Sequence, residues 1–305
     1  MYRSSMIIPP RRIIFSGGGI RVLSHLGSLV ALHEKNLLYS VKEWIGVSAG
    51  AFLATLCGSG YTIPQLQTLH TIVDFSSVRS DEPGNPLEIL ESFGMDSGEN
   101  LELFIIKYLN KKGFSKTSTF QDLHTKTGFS IRMWATDIQT STPIEFSTNK
   151  TPSYPVVSAL RASMSLPIVF TPIRHLHTNN LLIDGGCMGN YPIKYLSPLE
   201  KQSCLGISFI NTNPKLNVDI DSILTYFQKL ASLHYNAEDK NTIVEYSTKT
   251  IFSPCGDYPS WNFEASLEDR IHLFNVGYKA ANDFLSHTPT NSTNVYKGMR
   301  RRSVS

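Results

Sequence analysis

A serine flanked at two positions by glycine, Gly46-Val47-Ser48-Ala49-Gly50, follows the short apolar run at residues 44–47 and opens the helical stretch Ala51-Phe52-Leu53-Ala54. Serine chemistry in acyl transfer needs the hydroxyl held at the end of a sheet on a sharp strand-to-helix turn. Glycine at both ends removes the Cβ atoms that would obstruct such a turn. The turn also sets Ser48 at a helix N-terminus, where free N–H groups and the dipole favour developing negative charge. The pattern G-x-S-x-G alone arises by chance in about one chain in ten of this length, so its weight comes from the strand before it and the helix after it.

Two further glycine motifs bear on the same chemistry. Gly17-Gly18-Gly19 follows the apolar run Ile13-Ile14-Phe15 and precedes a helical segment, so it presents successive backbone N–H groups with no side chain in the way. A nucleotide-phosphate loop is the competing assignment, but Val22 and Leu23 stand where a third glycine would be required. Donors for the oxyanion of a tetrahedral intermediate fit better. Asp184-Gly185-Gly186 ends the run Leu181-Leu182-Ile183. In isolation it reads as a turn aspartate; in sequence with a nucleophile elbow and a donor loop it supplies the carboxylate that an acyl hydrolase needs.

The elements that must carry these groups are legible in outline. Residues 11–15 and 44–47 read as strands, each followed by glycine and a helical stretch, a βαβα order that predicts an α/β fold: a mostly parallel central sheet flanked by helices in three layers. Val22 or Leu23, Leu26, Leu29 or Val30, and His33 fall on one face of the first helix. Residues 129–138 and 140–148 read as strands and 155–167 as a helix stopped by Pro167. Residues 172–186 read as a hairpin turning at Thr178 to Asn180, and 204–209 as a late core strand. Residues 76–118 read as a helical insertion, punctuated by Pro83, Gly84 and Pro86. Two C-terminal helices are expected, one with Ile220, Leu224, Phe227, Ala231 and His234 on a face. The other carries Leu267, Ile271, Phe274, Tyr278, Ala281 and Leu285 on its face and a capping box at Ser266 and Asp269. Without repeats or linkers, residues 1–305 are expected to form a single domain, with a motif-bearing core at about 12–192, a helical part at about 215–290 and a basic tail at 297–305.

The sequence resembles the patatin-like phospholipases, or lipid acyl hydrolases, through four ordered blocks: GGGIR at 17–21, GVSAG at 46–50, ASMSLP at 162–167 and DGG at 184–186. The resemblance implies a serine–aspartate dyad, with Ser48 as nucleophile and Asp184 as general base. It also implies an oxyanion hole at Gly17, Gly18 and Gly19 with Ala49 beside it, and supporting roles for Arg21, Gly46, Gly50, Gly185 and Gly186. Val22 departs from the glycine often found after the basic residue of the first block. The implied substrate is a glycerophospholipid or other acyl lipid at a membrane or micelle surface, cleaved as by a phospholipase A without metal or other cofactor. A catalytically silent lipid-binding relative and an acyltransferase using the same dyad are the alternatives.

Composition narrows the rest. The net charge of +3 is too small to argue for nucleic acid, and Lys297 with Arg300 to Arg302 contribute +4 of it. Four cysteines without CxxC spacing predict free thiols. No signal-peptide pattern and no run of about 18 apolar residues is present, so an intracellular, cytoplasmic protein, at most peripheral to membranes, is expected. Arg3, Arg11, Arg12 and Arg300 to Arg302 are the basic residues expected to approach anionic head groups. His175 and His177 read as surface histidines, Asp137 as a turn residue, and Trp44, Trp134 and Trp261 as core or pocket wall. For a triad in place of the dyad, His234, His272 and His287 are the candidates that follow Asp184.

Overall fold

The computed structural model describes residues 9–72, 75–80, 91–210, 226, 244–256, 258–260 and 262–286. Its strands, in chain order, are β1 (Arg12–Phe15), β2 (Glu43–Val47), β3 (Gly94–Asp96), β4 (Ser130–Asp137), β5 (Thr142–Ser147), β6 (Ile168–Phe170), β7 (Ile173–Arg174), β8 (Leu181–Asp184), β9 (Cys204–Phe209) and β10 (Thr250–Ser253). Eight of them form one sheet in the order β10-β9-β1-β2-β4-β8-β7, with β5 added to β4. The run from β10 to β4 is parallel, as the βαβα pattern predicts, and the β4 side is finished by antiparallel pairings to β5 and β8. Strands β9 and β10 lie beyond the motif-bearing core expected at about 12–192, yet they build one flank of its sheet.

Alternation along the strands separates the two faces. Ile13, Phe15, Trp44, Ile131, Met133 and Ala135 pack into the larger hydrophobic cluster with the long helices. Ile14, Ile45, Val47 and Trp134 pack under Tyr191, Ile193 and Leu196. Helices therefore flank the central sheet, with the thicker layer on the first face.

Helix α1 (Val22–Glu34) is buried all round from Val22 to Leu32, more than the single face expected. The C-terminal helix Leu267–Ser286 covers what would have been its outer side. A Cβ on Gly27 would stand 2.0 Å from Phe274 O and one on Gly277 1.7 Å from Ser24 O, so the two backbones meet where neither carries a side chain. Ser266 and Asp269 do cap the C-terminal helix reciprocally. Its buried face runs through Leu273, Phe274, Gly277 and Ala281, however, and Leu267 and Ile271 are exposed. Of the six residues expected on its apolar face, Phe274, Tyr278, Ala281 and Leu285 do pack on the larger hydrophobic cluster. Apart from Tyr226, the helix expected from Ile220 to His234 lies outside the described residues, as do Trp261, Arg3, His287 and the basic tail.

Residues 76–118 hold the expected helix, Glu99–Asn110, and also β3, which pairs in parallel with β6 in a separate two-stranded sheet. A three-residue strand has no readable alternation, so the sequence pattern gave no sign of it.

The N-terminal ends of the strands close over a charged network. Glu43, buried at the start of β2, accepts from Arg12 Nε at 2.7 Å and from Arg132 Nε and Nη2 at 2.9 and 2.7 Å. Arg132 also reaches Glu200 at 2.8 Å, and Arg12 reaches Ser203 Oγ at 2.8 Å. This corrects the expectation that Arg12 meets lipid head groups. Its guanidinium is held inside a structural cluster at the end of the sheet opposite Ser48, because β1 and β2 run parallel and Arg12 pairs with Glu43.

Candidate active site

Strand β4 brings Ser48 and Asp184 together. Strand β5 occupies one edge of β4 from Arg132 to Asp137, so β2 and β8 share the other edge, end to end. Val47, the last residue of β2, pairs with Trp134; Asp184, the last residue of β8, pairs with Ala135 next along. One strand arriving in parallel and one in antiparallel sense thus deliver their C-terminal residues to adjacent positions. A Cβ on Gly185 would stand 2.1 Å from Trp134 O, which explains why glycine follows the aspartate.

Ser48 has φ 53° and ψ −129°, a conformation costing on the order of 1–3 kcal/mol for a non-glycine residue. Its neighbour Gly46 permits the turn, since a Cβ there would lie 2.3 Å from Gly50 O. Ser48 occupies the N-cap of helix α2 (Ala49–Gly58), a place where serine ordinarily bonds the first-turn amides, yet it makes no such bond. Its Oγ donates instead to Asp184 Oδ2 at 2.6 Å.

Asp184 is buried, and its second oxygen accepts the Gly186 N–H at 2.7 Å. Burial pushes its carboxyl up to about 6, against the lowering effect of the bonds from Ser48 and Gly186. Among the described residues no cation pairs with it. A hydroxyl hydrogen-bonded to a carboxylate with a raised pKa is an arrangement able to move a proton near neutral pH.

The glycine loop packs directly on Ser48: a Cβ on Gly17 would lie 3.2 Å from Ser48 Cβ. Gly17 is nevertheless not a free donor, because its N–H already bonds Asn190 O at 2.9 Å while Asn190 Nδ2 donates to Gly17 O at 3.0 Å. This corrects the expectation for Gly17, whose amide anchors the loop. Gly18 and Gly19 are half-exposed, and their amides and that of Ala49 have no acceptor among the described residues. Arg21 braces the same loop, donating from Nε to Gly18 O at 3.3 Å and from Nη1 to Gly256 O at 2.5 Å over the Phe209 ring. Beneath it the buried His25 stacks on Phe209 with ring centres 4.3 Å apart and faces Ser16 Oγ at 3.2 Å. Burial pulls His25 down to about 3, so it is a neutral prop.

The ASMSLP block supports both principal residues. Ser163, at the end of helix Val156–Ser163, accepts the Ser48 N–H at 3.0 Å on its Oγ and donates to Trp134 O at 2.7 Å. The carbonyl of Ser165 accepts the Asp184 N–H at 2.8 Å. Arg161, fully buried, spreads its guanidinium over Ser165 Oγ, Gly98 O and Ser97 O. Burial lowers it to about 10. Ser163, Asn190, Arg161 and His25 went without individual roles in the sequence reading; the block at 162–167 pointed at the right segment, and nothing marked Asn190.

The remaining candidates lie elsewhere. His272 is exposed on the C-terminal helix, and His234 and His287 are outside the described residues. His175 bonds Thr178 and stacks on Tyr154, while Asp137 accepts from Thr140 N and Asn180 Nδ2 as a turn residue does. Trp44 and Trp134 are in the core. No helix among the described residues is long and apolar enough to cross a membrane.

Comparison with known proteins gives the family and the fold. The family description "patatin-like phospholipase" matches residues 13–197. The Bacillus subtilis protein YqhO is 28% identical over 292 residues, covering 89% of this chain and 97% of its own. A probable lipid hydrolase, 463L of Invertebrate iridescent virus 6, is 28% identical over 190 residues, covering 60% of this chain and 62% of its own. Among solved structures, VipD from Legionella pneumophila superposes with a TM-score of 0.60 at 15% identity, covering 91% of this chain and 67% of VipD. ExoU of Pseudomonas aeruginosa, in its complex with SpcU, gives 0.56 at 18% identity, covering 91% of this chain and 51% of its own.

Proposed function

The chain belongs to the patatin-like phospholipase family, and from that premise we propose that it is a metal-independent lipid acyl hydrolase of the phospholipase A type, working through Ser48 and Asp184. The observation that carries this reading is the 2.6 Å bond from Ser48 Oγ to a buried carboxylate that no described cation neutralises. In the proposed reaction Ser48 Oγ attacks the ester carbonyl carbon as its proton passes to Asp184 Oδ2. The oxyanion is met by the amides of Gly18 and Gly19, with Ala49 at the start of α2 as a further donor. Collapse breaks the ester C–O bond, and Asp184 returns the proton to the departing glyceryl oxygen. Water then attacks the acyl-Ser48 ester, giving its proton to Asp184, and expulsion of the fatty acid restores the serine. Gly17, held by Asn190, and Arg21 on Gly18 O keep the donor loop at the serine; Gly46, Gly50 and Gly185 make room for the turns, and Gly186 donates its amide to Asp184.

Incubation with defined glycerophospholipids tests the reading: free fatty acid should appear with the parent, in EDTA as in its absence, and not with Ser48→Ala. Equal release by both proteins, or release that requires calcium, would overturn it.

A further inference from the structure

We propose that the projecting tips of the β4–β5 turn and the β7–β8 hairpin, with Ile138 and Leu176 exposed on them, form the surface by which this protein docks on a phospholipid bilayer. The proposal takes its sense from the lipid hydrolase reading, although its principal test does not depend on turnover.

Both tips rise beyond the Ser48 end of the sheet. Strand β2 stops where Val47 meets Trp134, whereas β4 continues to Asp137, so at about 3.3 Å per residue its end stands roughly 10 Å past the level of Val47. Strand β8 descends from Leu181, beside that projecting end, to Asp184 at the dyad. The turn at 175–180 therefore projects at the same end. The tips are tied to one another: Ile138 N–H donates to Leu181 O at 3.1 Å, Leu181 N–H to Gln139 Oε1 at 2.8 Å and Asn180 Nδ2 to Asp137 Oδ2 at 2.7 Å. Within the hairpin His175 N–H bonds Asn180 O, Asn179 N–H bonds His175 O, and Arg174 Nη1 bonds Asn179 O. On this stiff support Leu176 is 58% and Ile138 45% exposed.

The charge around them fits a lipid surface. Residues 138–144 and 171–181 contain no Asp or Glu and include the exposed cation Arg174. The adjoining Asp137 is buried and bonded to Asn180 and Thr140. Leu199 is more exposed, at 75%, but it is followed by Glu200 and Lys201 and lies at the opposite end of the sheet, just before β9. Aliphatic side chains set among uncharged polar residues, with a cation and no acid, are suited to enter the head-group boundary while the guanidinium meets phosphate. Docking by these tips would turn the Ser48 end of the sheet toward the bilayer.

Ser48→Ala protein, unable to consume its target in the proposed reaction, can be sedimented with vesicles of phosphatidylcholine and phosphatidylserine. Adding Ile138→Asp and Leu176→Asp should lower the bound fraction's partition constant by about tenfold or more, since two apolar anchors become two anions, and Arg174→Gln should weaken it further at low salt. Unchanged partition in the double variant would overturn the proposal and leave the patch to a protein partner. In the active protein, the double variant should lose vesicle hydrolysis while cleaving a soluble short-chain ester at the parental rate. An equal loss on both substrates, with an unchanged melting temperature, would instead make the tips part of the reaction site and also overturn docking. If the parent cleaves neither, the hydrolase reading fails while sedimentation still decides the docking.

Discussion

Strand β2 begins at one buried carboxylate and ends beside another, and the protein treats the two in opposite ways. Glu43 is met by the guanidiniums of Arg12 and Arg132, and Glu200 closes the cluster, so each of these four charges has a counter-charge within hydrogen-bond reach. Asp184 has a hydroxyl and one amide. Ion pairs to two guanidiniums make the first carboxylate a tie between β1, β2 and β4. Burial without a cation raises the second to about 6, where it can accept a proton and give it back. Five residues of strand thus separate a clamp from the proposed base, and what distinguishes them is the number of positive charges in contact.

This contrast can be broken at either end. The largest effect is expected at the uncompensated end, where Ser48→Ala and Asp184→Asn should each cut ester turnover by about 10⁴-fold or more, with circular dichroism unchanged. At the compensated end the loss should appear in stability. Glu43→Gln leaves two guanidiniums facing each other and should cost about 3–5 kcal/mol, a fall in melting temperature on the order of 10 °C, with kcat/KM of the folded protein near the parental value. Turnover failing more than stability in Glu43→Gln would show that the two ends are not separable.

Smaller effects sharpen the comparison. Ser163→Ala removes the acceptor of the strained Ser48 amide and should lower kcat by about tenfold, with the melting temperature nearly unchanged. Asp184 also makes a linkage prediction. Its carboxyl titrates higher folded than unfolded, so between roughly pH 4 and 6 the folded state binds more protons, and stability is lost as pH rises through that window. Asp184→Asn should therefore melt above the parent at pH 8 and lose this advantage at pH 4. A parent no less stable than the variant at pH 8 would contradict the uncompensated burial.

Much of the site was legible because its signals are local. Gly46 to Gly50, Gly17 to Gly19 and Asp184 to Gly186 each announce a turn that only glycine accommodates, and the strand-then-helix order around them gives the sheet. The unread part depends on contacts between distant segments. Nothing near Asn190 reveals that it will seize the Gly17 amide across 173 residues, and nothing near Ser163 reveals its partner 115 residues away. Arg12 looked like a surface cation because Glu43 lies 31 residues on, in another strand. Helix α1 read as one-sided because the helix that buries its far side comes more than two hundred residues later.

The proposed role of Asp184 as the base for Ser48 is decided by the rate at which a fluorophosphonate acylation mimic labels Ser48, followed by peptide mass across pH in the parent and in Asp184→Asn. Labelling of Ser48 in the parent should rise through about pH 6 and level above it, and labelling in Asp184→Asn should be slower by orders of magnitude with no inflection there. Labelling of Asp184→Asn at the parental rate, with the parental pH profile, would show that some other group takes the proton.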